Sequence, residues 1–322
     1  MPGWNDLALL FLSKILAASF IMKEKQEYDR DFLYVDFNCD NGELPSQEAI
    51  ERAKSLYQSL GCFVARRFFS AVDYLPLENA LRFLISTRLR LSNITSYKIN
   101  GRFDDGFIEL VNHARLEQDV IFRACLRLLP MKILAVDPRI LEVTRSLIPS
   151  DLLMSSNFMP IKSDLPHSYS GVFPWHQDYP PQMDSSDGLI FWCPIQSVAA
   201  DMTLLLAPGS HSLGLLPCKW VGDKPGYSYY ELASPEISNR FPVVAVPVEK
   251  GDVVVCSTMC LHASQVNRGP YTRWTPIFRF GNFKDDLAVK KNWPGSLYEG
   301  YSFAKICPEM VTNIAEVPEF LK

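Results

Sequence analysis

The stretch Gly171–Asp178, GVFPWHQD, sets His176 and Asp178 one residue apart. In an extended strand, residues i and i+2 leave the backbone from the same face. An imidazole and a carboxylate then converge on one point, as two ligands of a metal ion must. A second histidine would complete a two-histidine, one-carboxylate set that leaves positions open for a cosubstrate and oxygen. Taken alone, the pair fits a buried histidine hydrogen-bonded to Asp178 equally well.

His262 shifts that balance. It lies in EKGDVVVCSTMCLHAS, where Lys250-Gly251-Asp252 reads as a turn and Val253–Cys256 as a buried strand. The histidine falls just past that strand, where a second strand can bring it beside the first pair. Eleven residues later Arg273 opens the strand RWTPIFRF. Arginine suits two-pronged capture of a carboxylate, and Thr275 adds a hydroxyl on the same face. An open metal site beside this pair matches a chelating 2-oxo acid, metal-bound at one end and held by arginine at the other. A surface salt bridge is the plainer use of Arg273, and Arg279 on the same strand is its rival for the carboxylate.

Other chemistry-bearing residues carry weaker signals. His113 has no partner at metal-ligand spacing and reads as a surface or packing histidine. His211 belongs to a Pro-Gly-Ser-His turn, and Gln177, between the first two ligands, reads as orienting the strand. The eight cysteines include no CxxC pair, which points to reduced core thiols and away from a disulfide framework or a zinc site.

The elements that must position these groups divide the chain. Residues 23–40, charged and aromatic, read as a connecting arm. The periodicity of QEAIERAKSLYQSL predicts a helix, capped by Ser46 and stopped by Gly61. Cys62–Phe69 reads as a strand. Helices are expected from Ser70 to about Leu91, over 106–129 and over 138–148, with a polar loop at Asn100–Asp105. After Ser150, short apolar runs alternate with proline, glycine and aspartate, as in an antiparallel sandwich or barrel. No linker or repeat separates the halves, so the chain reads as one domain. Its parts are an N-terminal helix and arm (1–45), helix-rich support with one early strand (46–150), a metal-binding β core (151–285) and a C-terminal cover (286–322).

Composition is that of a globular protein with a sizeable core, 48% hydrophobic and 21% charged. A net charge of −4 supplies no general attraction to nucleic acid. The apolar run Leu7–Met22 carries Lys14 at its middle and is short for a membrane span, and only Asp6 precedes it where a signal peptide wants a basic region. It is expected to form a helix packed on the body or on a second subunit as a homodimer. No integral membrane segment and a cytoplasmic location follow.

Across about Asn157–Asn282 the order of motifs resembles a known family. HQD at His176–Asp178, the strand GLIFWCPI, LLLAPGSHSLGLLP, the turn KGDVVV and LHASQVNRGPYTRW are similar to those of phytanoyl-CoA dioxygenase-like proteins. The resemblance implies an α+β, mainly β fold: a double-stranded β-helix (jelly-roll, cupin-like) barrel supported by helices mostly from the N-terminal half. It also implies Fe(II), 2-oxoglutarate and O2, with His176, Asp178 and His262 as iron ligands and Arg273 on the distal carboxylate. Thr275 stands where relatives place a helper hydroxyl, and Lys162 lies in a segment that lines their cosubstrate pocket. Related halogenases replace the carboxylate ligand with a small residue, so Asp178 implies hydroxylation, with succinate and CO2 released.

The substrate is expected to be a small polar metabolite, a saccharide or a natural-product intermediate. Its walls would come from the helical first half and the loops Tyr179–Gly188 and Pro217–Ser234, the second rich in aromatics. The alternative is a non-catalytic metal-binding barrel that holds a ligand or partner. A full set of His176, Asp178, His262 and Arg273 weighs against it.

Overall fold

The computed structural model describes residues 30–221 and 230–318. The apolar run Leu7–Met22, with the helix and dimer contact expected of it, lies outside the described residues. No helix among these residues is long and apolar enough to cross a membrane.

Among the described residues, twelve strands build the core. They are β1 (Tyr34–Asp36), β2 (Cys62–Arg66), β3 (Leu153–Ser155), β4 (Ile161–Asp164), β5 (Leu189–Trp192) and β6 (Leu204–Leu206), followed by β7 (Cys218–Trp220), β8 (Tyr230–Leu232), β9 (Val244–Ala245), β10 (Val253–Ser257), β11 (His262–Ser264) and β12 (Arg273–Asn282). The larger sheet runs β1-β2-β10-β5-β12-β3, and β4 pairs with the other end of β12. A smaller sheet runs β11-β6-β9, and β7 pairs with β8. Among the described residues the strands thus form two unequal sheets and the β7–β8 pair and do not close into a barrel.

The arm expected over 23–40 ends in β1, which pairs in parallel with β2. Three residues are too few for an alternating pattern to register. The helix after Ser46 forms as expected: α1 (Gln47–Leu60) starts where the Ser46 side chain accepts from Ala49 N, and ends at Gly61 with φ 73°. A Cβ on Gly61 would sit 2.4 Å from the His211 ring, so that histidine is used in packing.

After α2 (Ala71–Leu91), the single helix expected over 106–129 is two, α3 (Phe107–His113) and α4 (Leu116–Cys125). Ala114 is extended between them, and the break aims Glu117 at Arg88 on α2 through 2.6 and 2.7 Å hydrogen bonds. A further helix, α5 (Leu129–Ala135), precedes α6 (Pro138–Leu147).

These helices cover one face of the larger sheet. On β10, Val253 and Val255 join the helix-side core, while Val254 and Cys256 face Leu204, Leu206 and Val244 of the smaller sheet. Both faces are buried, which is why DVVVC reads as one apolar run. The space between the sheets holds the site.

Candidate metal centre

GVFPWHQD is not a regular strand, contrary to the same-face expectation. His176 makes a single antiparallel bridge with His262, through His176 N to His262 O at 3.0 Å and His262 N to His176 O at 3.2 Å. Asp178 then turns into the helical region (φ −79°, ψ −17°) to begin α7 (Tyr179–Gln182). Its N–H donates to Thr258 O at 3.0 Å. One bridge and one turn bring the carboxylate to the two rings.

The convergence itself is as expected from the residue types. His176 Nε2 lies 3.4 Å and His262 Nε2 3.5 Å from Asp178 Oδ1. One ligand atom from each residue falls within 4.8 Å of the others, and all three side chains are buried. Each histidine places Nδ1 against a backbone carbonyl, Pro174 O at 2.7 Å and Cys260 O at 3.0 Å. Protonation at Nδ1 fixes the tautomer that leaves an Nε2 lone pair facing the shared point.

Electrostatics keep this donor set usable. Burial alone would raise the Asp178 carboxyl, but Arg279 and both histidines override it and hold it well below the usual carboxylate range. Burial and His262 hold His176 below its ordinary value. Burial also pushes His262 down, but Asp178 outweighs it and the net direction is up. Two imidazole nitrogens and one ionised oxygen suit a divalent iron with open positions.

A cavity of about 940 Å³, counted to its open mouth, lies above the triad. Phe122 of α4 and Phe158, Phe173, Trp192 and Tyr230 supply aromatic walls, and Gln182 of α7 also lines the cavity. Both expected wall loops contribute, through Pro181, Gln182 and Tyr230; residues 222–229 of the second lie outside the described residues.

The groups assigned to the cosubstrate are split between this wall and the layer behind it. Lys162 lines the cavity and donates to Gly171 O at 2.7 Å, and burial pushes its ammonium below the usual lysine range. Its Cα partner on β12 is Thr275, fully buried with an Oγ1 that has no hydrogen-bond partner. Arg273 is buried outside the cavity lining. Its Nε and Nη2 donate to Asp164 Oδ2 at 3.1 and 2.8 Å, Nη2 also reaches Gln265 O at 3.2 Å, and Nη1 donates to Met202 O.

Arg279 is the residue that spacing undervalued. Residues 273, 275, 277 and 279 alternate onto one face of β12, so the strand that offers Arg273 also brings Arg279 inward. It lines the cavity and grips Asp178. Even parity with Arg273 was the available signal. Gln177 fills the bracing role expected of it, donating to Gly214 O and Met259 O, both at 2.8 Å. His113 is exposed, away from the triad.

Comparison with known proteins follows the same line. Residues 97–275, more than half the chain, match the family model described as phytanoyl-CoA dioxygenase (PhyH). No curated protein matches the sequence. Among solved structures, EctD from S. alaskensis with bound Fe is similar at 17% identity and TM-score 0.50, over 73% of this chain and 77% of that one. The same protein with 2-oxoglutarate and 5-hydroxyectoine aligns over 82% and 81%, at 15% identity and TM-score 0.50. The epimerase SnoN, in complex with Fe3+, alpha ketoglutarate and nogalamycin RO, aligns over 74% and 85% at 19% identity and TM-score 0.49. At such identities the EctD likeness is one of fold, the jelly-roll.

Proposed function

Because the chain belongs to the phytanoyl-CoA dioxygenase family, and is an iron- and 2-oxoglutarate-dependent oxygenase, we propose that His176, Asp178 and His262 hold its iron. We propose further that the aromatic cavity above them takes a small ring-bearing molecule for hydroxylation. The observation that carries this reading is the meeting of two imidazole Nε2 atoms and one carboxylate oxygen within 4.8 Å at the cavity floor. Iron with 2-oxoglutarate and O2 supplies oxidation of a C–H bond, with succinate and CO2 as co-products.

The chain's own residues do the rest. The carbonyls of Pro174 and Cys260 hold the histidine tautomers. Lys162 is assigned to the cosubstrate from the cavity wall, with Thr275 and Arg273 in the layer behind it. Lys162 presents a cation at the cavity wall, Thr275 offers an unspent buried hydroxyl, and Arg273 stands behind with its charge shared by Asp164. What distinguishes this hydroxyl among the unpartnered buried ones is its place opposite Lys162 on the paired strand, which suits an anionic group. Aromatic walls exclude water and offer flat faces to a ring, while Gln182 supplies a polar contact. Of the substrates expected, a natural-product intermediate with a largely apolar ring body fits these walls best.

The test has two stages. Without O2, protein with Fe(II) and 2-oxoglutarate should show the weak visible charge-transfer absorption of the chelate; once O2 is admitted, a panel of ring-bearing alcohols and ketones should stimulate succinate release. Correctly folded, iron-loaded protein without that absorption would refute the assignment. Stimulation by saccharides alone would refute the substrate class.

A further inference from the structure

We infer that Arg279 is a positioning residue that restricts Asp178 to one-oxygen ligation. The inference rests on the proposal that His176, Asp178 and His262 hold iron. The two oxygens of Asp178 are divided. Oδ1 faces both histidine Nε2 atoms, whereas Oδ2 accepts from Arg279 Nε at 2.9 Å and Nη2 at 2.7 Å.

A carboxylate free at both oxygens can chelate a metal and occupy two coordination positions. Here chelation would need Oδ2 to break two charge-assisted hydrogen bonds, the stronger kind, inside a buried site. Asp178 is 6% and Arg279 7% exposed, so water offers no replacement for either bond. Asp178 N also donates to Thr258 O, which fixes the backbone from which the carboxylate projects. Rotation of the carboxylate itself is opposed by the two Arg279 bonds to Oδ2.

The orientation of Arg279 points the same way. Its fork satisfies Asp178 while its own Nη1 is buried without a hydrogen-bond partner. A guanidinium placed only for packing would be expected to distribute its donors, because an unpaired buried N–H is unfavourable. With one position per ligand residue, three remain in an octahedral set, enough for a two-point 2-oxo acid and O2. Arg279 acts through Asp178, whose Oδ2 it holds.

The test uses full-length apoprotein titrated with Co(II), followed by equilibrium affinity and visible absorption. Arg279→Met should weaken Co(II) binding by about 10–100-fold, the usual effect of losing a metal ligand's hydrogen-bond partner. Its Co(II) spectrum should also shift in band position and intensity as the freed oxygen enters one of the open positions. Arg279→Lys, which keeps the charge with a single-point donor and guards against loss of folding, should fall between the two. In an Asp178→Ala background, Arg279→Met should change neither reading. The inference is overturned if Arg279→Met or Arg279→Lys matches the parent protein in affinity and spectrum, or if the loss persists undiminished in the Asp178→Ala background. Co(II) binding that survives His176→Ala with His262→Ala would instead overturn the metal assignment beneath it.

Discussion

Gln177 and Met259 are joined by a 2.8 Å hydrogen bond, side-chain amide to backbone carbonyl, between the two segments that supply the triad. The same amide donates to Gly214 O at 2.8 Å and its oxygen accepts from Leu216 N at 2.9 Å. Gln177 is 2% exposed, so all three partners lose their bond together if it is removed. Gln177→Leu keeps the volume and should cost roughly 3 kcal/mol or more, from about 1–3 for each orphaned buried group. Metal affinity should fall with it, as the register between 176 and 262 loosens. Urea unfolding that matches the parent protein would show that the brace is dispensable.

What could be read from the sequence followed the range of the physics involved. Capping and periodicity act within a few residues, and α1 begins and ends at Ser46 and Gly61 as those rules require. The types and order of His176, Asp178 and His262 were legible because metal chemistry restricts ligand types so narrowly. The path by which they meet was not. GVFPWHQD predicts a strand, but the contact is one bridge followed by a helical turn, and both depend on Thr258 and His262 across the fold. Partner choice was equally hidden. Spacing made Arg273 and Arg279 rivals for the cosubstrate's distal carboxylate and said nothing of the protein carboxylates they meet, Asp164 for Arg273 and Asp178 for Arg279.

That division separates two further variants. Arg273→Ala leaves Asp164, itself 7% exposed, with Lys162 at 3.4 Å as its remaining cation, and should destabilise the fold by about 3 kcal/mol, the low end for losing one partner of a buried pair. Lys162→Met keeps the stem and removes an ammonium that burial disfavours but that bonds Gly171 O and pairs with Asp164, so stability should fall by about 1–3 kcal/mol. Its 2-oxoglutarate dissociation constant should rise at least tenfold (about 1.4 kcal/mol), read by anaerobic titration. Unchanged cosubstrate affinity in Lys162→Met would remove that residue from the pocket.

Gly251 should tolerate no side chain. Its φ is 107°, and a Cβ there would stand 2.2 Å from Phe69 O. Its own carbonyl accepts from Phe68 N at 3.0 Å and Phe69 N at 2.9 Å, so the turn into β10 has no room to relax. Gly251→Ala should cost at least about 3 kcal/mol. Gly42, with φ 87° and nothing within 4 Å of a built Cβ, is the control. Gly42→Ala should cost about 1 kcal/mol, the conformational part alone. Equal costs at the two positions, measured by chemical unfolding, would mean that the contact with Phe69 does not matter.

Asp184 gives the fold a pH dependence near the site. Burial raises its carboxyl to about 6, against the opposing pull of Ser156 and the Arg279 charge. In the unfolded chain the same group titrates near 3.9. Between those values the native state holds more protons than the unfolded one, so stability falls as pH rises through the window and is level above it. The protonated carboxyl is the form that the half-buried site prefers. Asp184→Asn imitates that form at every pH. The variant should therefore match the parent protein below about pH 4 and exceed it at pH 7.5 by on the order of 1–2 kcal/mol, allowing for partial solvent screening. Paired urea titrations at pH 4, 5, 6 and 7.5 measure the difference. A gap that stays constant with pH would assign the effect to packing and clear Asp184 of any titration in this range.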